Sequence, residues 1–434
     1  MGQALSAAAT PLDLSQLGDA SHWLRPGTLQ LPALPPLSLY VHLPWCLKKC
    51  PYCDFNSHAW GPGMGELPQA AYLQALVADL QQSLPLVWGR PVHSIFIGGG
   101  TPSLFEPWAI EQLLEHIRAL LPLVPDCEIT LEANPGTFET DRFHGYRAAG
   151  VTRLSVGVQS FHNDSLRALG RVHDADQAMA AVREAAEAFD TFNIDLMYAL
   201  PGQSLSALQH DLDTALGLAP PHLSIYHLTI EPNTWFERHP PSLPEEDEAF
   251  DMLDIITQGT AEQGMARYEV SAYAQKGHAC WHNTNYWQFG DYLGIGAGAH
   301  SKISFPHRVL RLIRYREPAL YQKQAMSGQA VSQGHEVARR DLAFEFALNA
   351  FRLKNGFALS DFSARTGLPL SAIEAPLAQA QNKGLIEQVG QQVLPTERGF
   401  DFLNDLVELF LPPEGKTAVT PGATAQTLVF KPNQ

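Results

Sequence analysis

LSLYVHLPWCLKKCPYC, residues 37–53, runs an apolar strand directly into three closely spaced cysteines. Leu37 to Leu43 reads as a buried strand, and Cys46, Cys50 and Cys53 follow it as C-x3-C-x2-C. Working outward, the same kind of short apolar run recurs at 93–99, 128–134, 153–159, 192–198 and 222–230. Stretches with helical spacing lie between them, such as Ala70 to Leu84 and Asp174 to Ala188. Strand and helix alternating over six units predict an α/β protein with a parallel sheet and crossover helices. A partial or full βα barrel of the TIM-like kind is the expected closure, with an open doubly wound sheet as the alternative.

The other segments read differently. Residues 1–36 are proline-rich with little periodicity and read as an N-terminal arm. The barrel is expected over 37–275, a connecting region over 276–330, and a small helical domain over 331–411. Residues 362–386 have a helix-turn-helix look, and a hairpin around Gly390 makes the domain winged-helix-like. The Thr-, Ala- and Pro-rich tail over 412–434 reads as disordered.

A formal charge of −16 argues against nucleic acid as a partner, because phosphate binding needs a basic face. No run approaches the roughly 18 apolar residues of a membrane span, and the first ten residues lack a secretory signal's basic and apolar regions. A cytoplasmic protein is expected. Three of five cysteines within eight residues do not make a disulfide framework; in a reducing compartment they suggest a metal. Soft thiolates select iron–sulfur clusters, zinc or copper(I). Zinc would need a fourth ligand, for which His42 and His58 stand nearby. A cubane cluster held by three cysteines keeps one iron open to a small ligand.

Polar groups gather at the predicted strand ends, where βα barrels place their sites. Gly98, Gly99, Gly100 and Thr101 close the second strand, Glu132 ends the third and Gln159 the fourth, while Asp195 lies within the fifth. Arg171 follows the fourth strand and could clamp a carboxylate with two hydrogen bonds. Each taken alone could be a solvated strand end or a turn.

The C-x3-C-x2-C loop, with Tyr52 before its last cysteine, resembles the signature of radical S-adenosylmethionine proteins. The resemblance implies a [4Fe–4S] cluster on Cys46, Cys50 and Cys53. It also implies S-adenosylmethionine on the open iron, contacted by Tyr40, Gly99, Gly100, Thr101, Glu132, Gln159, Arg171 and Asp195. In that family, cluster reduction releases methionine and a 5′-deoxyadenosyl radical. YVHLPWC, GGGTPS, EANPGT, SVGVQSF, DLMYALPGQ and YEVSAYA are most similar to the branch holding oxygen-independent coproporphyrinogen III oxidase and the haem chaperone HemW. The C-terminal EFALNAFRLKNG and LPTERGFDFLN resemble that branch's small domain.

Two features separate the branch members. The oxidases carry a fourth cysteine two residues after the third, where this chain has Phe55. HNTNYW (282–287) matches the HNxxYW motif associated with haem binding in the chaperones, which makes His282 the candidate haem ligand. Imidazole is a standard axial ligand of haem iron; the competing reading is a core histidine beside packed aromatics. Cys280 could also ligate haem or be a small buried hydrophobe. The resemblance thus implies a haem carrier that passes haem to an acceptor haemoprotein, membrane-bound acceptors included. Radical oxidative decarboxylation of coproporphyrinogen III is the alternative.

Overall fold

The structure, a computed structural model, describes residues 10–412 apart from 62 and 137–138. The tail expected to be disordered lies outside the described residues, save for Pro412.

Six strands follow the sequence rhythm: β1 (Leu37–Leu43), β2 (Val92–Gly99), β3 (Leu123–Ala133), β4 (Arg153–Gln159), β5 (Phe192–Tyr198) and β6 (His222–His227). They pair in parallel, in chain order and without reversal. The crossovers carry α1 (Gln69–Ser83), α2 (Pro107–Leu120), α3 (Glu139–Ala149), α4 (Ala175–Ala188) and α5 (Leu205–Gly217). Right-handed crossovers that always advance the same way put every helix on one face of the sheet, which then curls into a barrel wall. A doubly wound sheet would need the order to reverse at a switch point; it does not.

Local chemistry explains the elements. In α4, Asp174 accepts the Gln177 N–H while the Gln177 side chain accepts the Asp174 N–H, a capping box. Ala178, Ala181, Val182 and Ala185, spaced by three and four, are the face that α4 buries on the sheet. In β1 the odd positions Leu37, Leu39, Val41 and Leu43 join the core under the helices. Period-two alternation turns Ser38, Tyr40 and His42 to the opposite face, the barrel's interior.

Among the described residues the sheet extends past this wall on both sides to 13 strands. After β6 and helix α6 (Glu246–Glu262) come β7 (Ala266–Glu269) and β8 (Ala272–Ala274), with β8 antiparallel to β6. The stretch read as a connecting region builds the other flank. It carries helix α7 (Trp281–Trp287), then β9 (Asp291–Ile295), β10 (His300–Phe305) and β11 (Arg308–Arg314), with helix α8 (Pro318–Met326) after them. Strand β9 lies parallel to β1 and so is a seventh strand of the wall, and β10, β11 and β12 (Val331–Glu336) continue antiparallel. Among the described residues, Thr10–Pro11 pairs with β12 at the outer edge and does not meet β7 at the other end, so the barrel is partial. The arm is packed as well, with Trp23 buried against Phe305, and Leu29 and Leu31 in a second core.

That second core belongs mainly to the C-terminal residues. Helices α9 (Leu342–Ala350), α10 (Leu359–Thr366) and α11 (Glu374–Asn382) pack with a small sheet of β13 (Phe357–Ala358), β14 (Ile386–Val389) and β15 (Gln392–Pro395). Gly390, at φ +61°, makes the turn between β14 and β15. This is the helix-turn-helix and hairpin arrangement expected from the sequence.

Candidate functional site

The cysteine loop is pinned at both ends. Trp45–Cys46 pairs in parallel with His58–Ala59, and the Trp60 N–H donates to the Cys46 carbonyl at 2.7 Å. Trp45 packs into an aromatic cluster with Tyr72, Phe105 and Trp60, which fixes where Cys46 starts. Asn56 ties the far side, its amide donating to the carbonyls of Ala297 (2.9 Å) and Arg316 (2.8 Å).

All three cysteines are partly buried at the carboxyl end of β1. Burial pushes the Cys46 thiol up to about 11, the Thr101 hydroxyl offsetting part of this, and it raises Cys53 too. Negative charge among the three is mutually repelled, so thiolates here need a cation to hold them. Among the described residues no three His, Cys, Asp or Glu side chains converge on one ion. A cubane asks for something else, because each of its cysteines holds a different iron. His42 is no spare zinc ligand: its Nε2 lies 2.9 Å from the Asn56 carbonyl and its Nδ1 3.0 Å from the Tyr40 hydroxyl. A carbonyl only accepts, so Nε2 donates and Nδ1 accepts from Tyr40. Burial lowers His42 to about 4.

Around this loop the structure gathers the strand-end residues. The glycine run packs tightly on it, since a Cβ on Gly99 (φ +118°) would lie 2.6 Å from the His42 ring, and one on Gly100 2.6 Å from the Trp45 carbonyl. The Gly99 N–H donates to Glu132 at 3.1 Å. Burial first, then the charge of Asp195, raises Glu132 to about 8. Burial also lifts Asp195, to about 6, against hydrogen bonds from Ser155 (3.0 Å) and Asn193 (2.8 Å). Gln159 sits at φ +71° beside an irregularity in the β4–β5 pairing, a strained backbone of the kind found at binding sites.

Arg171 links the parts. Its guanidinium donates to Asn134 Oδ1 (2.6 Å) and the Gly157 carbonyl (2.7 Å), and Nη1 lies 3.8 Å from Cys50 Sγ. Among the described residues its Nε is buried with no partner, which leaves a donor for an anionic group. Asn134, missed in the sequence, also donates to Thr101 Oγ1 at 2.9 Å and so joins the second and third strand ends. Its position two residues after Glu132 in EANPGT was the available signal.

His282 lies elsewhere. Helix α7 is clasped from β3 by Glu128, whose carboxylate accepts the N–H groups of Trp281 and His282, each at 3.0 Å. Glu128 stands near the start of the β3–β4 pairing, four residues before Glu132. The motif therefore closes the amino end of the barrel wall, opposite the cysteine loop. His282 is 1% exposed, stacked on Phe96 at 4.9 Å and near Tyr286 at 5.0 Å. Its Nδ1 meets Ser94 Oγ at 2.9 Å while, among the described residues, its Nε2 is buried without a partner, as is the indole Nε1 of Trp287. Burial lowers the imidazole to about 3. Cys280 is held protonated by burial, its Sγ 3.5 Å from Glu128.

A three-thiol loop at the carboxyl end of a partial βα barrel, ringed by a glycine turn, two buried carboxyls and an arginine, is a radical-SAM arrangement. The Radical SAM superfamily model matches residues 40–215, and the HemN C-terminal domain model matches 337–402. Within that class, the chain belongs to the heme chaperone HemW family. Heme chaperone HemW of Escherichia coli (strain K12) is 48% identical over 380 residues, 87% of this chain and 99% of that protein. The Haemophilus influenzae chaperone is 45% identical over 390 residues, 88% of this chain and all of that one. The solved structure of coproporphyrinogen III oxidase (HemN) from Escherichia coli, described as a radical SAM enzyme, superposes with a TM-score of 0.74 at 25% identity. It covers 87% of this chain and 90% of its own. Among the described residues no helix is long and apolar enough to cross a membrane.

Proposed function

We propose that this chain binds haem at the HNTNYW helix and passes it to an acceptor haemoprotein, in the cytoplasm or at a membrane-bound recipient. The observation that carries the reading is the pair of buried, unpartnered polar atoms inside the motif, His282 Nε2 and Trp287 Nε1. Native interiors leave few such atoms unsatisfied. A neutral imidazole with a bare nitrogen is the form that ligates iron, and the curated relatives are heme chaperones. Because His282 is 1% exposed, binding there goes with a displacement of α7 or of the rings against it.

The residues at the opposite end suit a cluster and a sulfonium nucleoside cofactor. Cys46, Cys50 and Cys53 would hold the [4Fe–4S] cluster, which supplies a one-electron centre with an open iron. Exchangeable S-adenosylmethionine would meet Tyr40, the Gly99–Thr101 turn, Glu132, Gln159, Arg171 and Asp195. The spare Nε of Arg171 suits a carboxylate, and Glu132 with Asp195 forms an acidic pair suited to a cation. The likeness to HemN favours a second reading, coproporphyrinogen III decarboxylation, and Phe55 in place of the fourth cysteine weighs against it.

The test is haemin titration of anaerobically reconstituted wild type and His282→Ala, followed at the Soret band. Saturation near one haem per chain, weakened at least about tenfold by the substitution, is expected. Haem binding no better than to a non-binding control protein would sink the carrier reading, and formation of the divinyl product would then favour the oxidase.

A further inference from the structure

Ser38 and Ser94 are fully buried on the inward faces of β1 and β2, and nothing in the carrier reading yet uses them. Ser94 Oγ donates to Ser38 Oγ at 2.9 Å. Ser38 Oγ also accepts from the Asn285 amide at 2.9 Å, and that amide is held on its other side by the Asp291 carbonyl at 3.1 Å. An amide nitrogen can only donate, so Ser38 is fixed as an acceptor toward α7. Ser94 has one proton and gives it to Ser38. Toward His282 Nδ1, 2.9 Å away, the same oxygen can therefore only accept. The hydrogen on that contact belongs to the imidazole.

A neutral imidazole carries one N–H. With the proton on Nδ1, the unpartnered Nε2 bears a lone pair. We propose that Ser94 is a positioning residue which, backed by Ser38 and Asn285, holds His282 as the Nδ1–H tautomer and so designates Nε2 as the atom that takes haem iron. The proposal rests on the carrier reading for its ligand, but the tautomer is a property of the haem-free protein. The arrangement follows the general rule that a ligating histidine is oriented by the hydrogen bond its other nitrogen makes. What is particular here is the source: both hydroxyls come from barrel strands, so the ligand atom is set by the wall, with α7 contributing only the Asn285 amide that backs Ser38.

Two measurements on the full-length, cluster-reconstituted chain test it. The first is nitrogen-15 NMR of labelled histidine without haem, with the His282 signal assigned by its loss in His282→Gln. The expected state is Nδ1–H in wild type. In Ser94→Ala the two tautomers should mix. In Ser38→Ala the freed Ser94 proton should turn toward Nδ1 and shift the population to Nε2–H. The second is haem loss to excess apomyoglobin, expected to be about tenfold faster or more in Ser94→Ala and near the wild-type rate in Ser94→Thr, which keeps the hydroxyl.

A wild-type Nε2–H signal overturns the proposal outright. Unchanged haem loss in Ser94→Ala, alongside abolished binding in His282→Ala, overturns the role of Ser94 and leaves the carrier reading standing. Undiminished binding in His282→Ala overturns both. If Ser94→Ala does not fold, Ser38→Ala carries the decision, because it alters no atom touching the imidazole.

Discussion

At the scale of single residues, the strand-end carboxyls make the sharpest demand. Glu132 is raised to about 8 and Asp195 to about 6, so near pH 7 the first is mostly protonated and the second mostly ionised. Glu132's folded value lies above the ordinary 4.5 of an unfolded glutamate. Its contribution to stability is therefore full below that value and lost as the pH rises through about 8. Glu132→Gln should flatten the pH dependence of Tm across that window in the ligand-free protein. A cationic ligand arriving beside the pair pulls both carboxyls toward ionisation. Calorimetric titration of S-adenosylmethionine at pH 7, in buffers of different ionisation enthalpy, should then show release of up to about one proton. Equal release from wild type and Glu132→Gln would mean that another group supplies the proton.

At the scale of elements, α7 is the one that does not stand by itself. It has seven residues, too few for a self-supporting helix, and is held from outside by Glu128, Ser38 and Ser94. Glu128→Gln keeps the size but turns a double charged acceptor into a half donor. It should cost about 1–2 kcal/mol in urea unfolding. It should also raise amide exchange over 280–288 while cluster absorbance holds. Unchanged exchange there would show that Glu128 does not hold the helix. The six wall strands and the cysteine loop were legible in the sequence because buried parallel strands read as continuous apolar runs and clustered thiols have few other uses. Strand β9 was not, since nothing in DYLGI says that Asp291 pairs with Leu37, 254 positions earlier in the chain. Glu128 was equally silent: on a sheet of alternating faces it looks like any polar strand residue until α7 is seen against it. The HNTNYW match marked the helix proposed here for haem but could not show that His282 faces inward, because seven residues are too few for periodicity to reveal the buried side.

At the scale of the molecule, the C-terminal domain shuts the floor that α7 forms. Arg352, just past α9, lays its guanidinium 4.2 Å over the Trp287 ring, and its Nη2 is 3.7 Å from Glu269 of β7. Leu353 packs with Tyr286, Trp287 and Tyr292, and the Lys354 N–H donates to the Tyr268 carbonyl at 3.0 Å. The domain thus grips the HNTNYW motif and both neighbouring strands with three consecutive residues. Burial lowers Arg352 and raises Glu269, each offset by the other's charge. Removing the cation alone leaves a buried carboxyl without its partner, so Arg352→Met should cost about 3 kcal/mol, and Arg352→Met with Glu269→Gln should recover much of it. The same substitution loosens the grip on Trp287. If haem reaches His282 only when α7 moves, the apparent association rate scales with the population of the open floor. Arg352→Met should then take up haem faster in stopped flow than wild type, with S-adenosylmethionine affinity unchanged at the far end of the barrel. A variant that is less stable but takes up haem at the wild-type rate would show that the domain braces the barrel without gating the site, and the route to His282 would have to run through the barrel's interior, past Phe96.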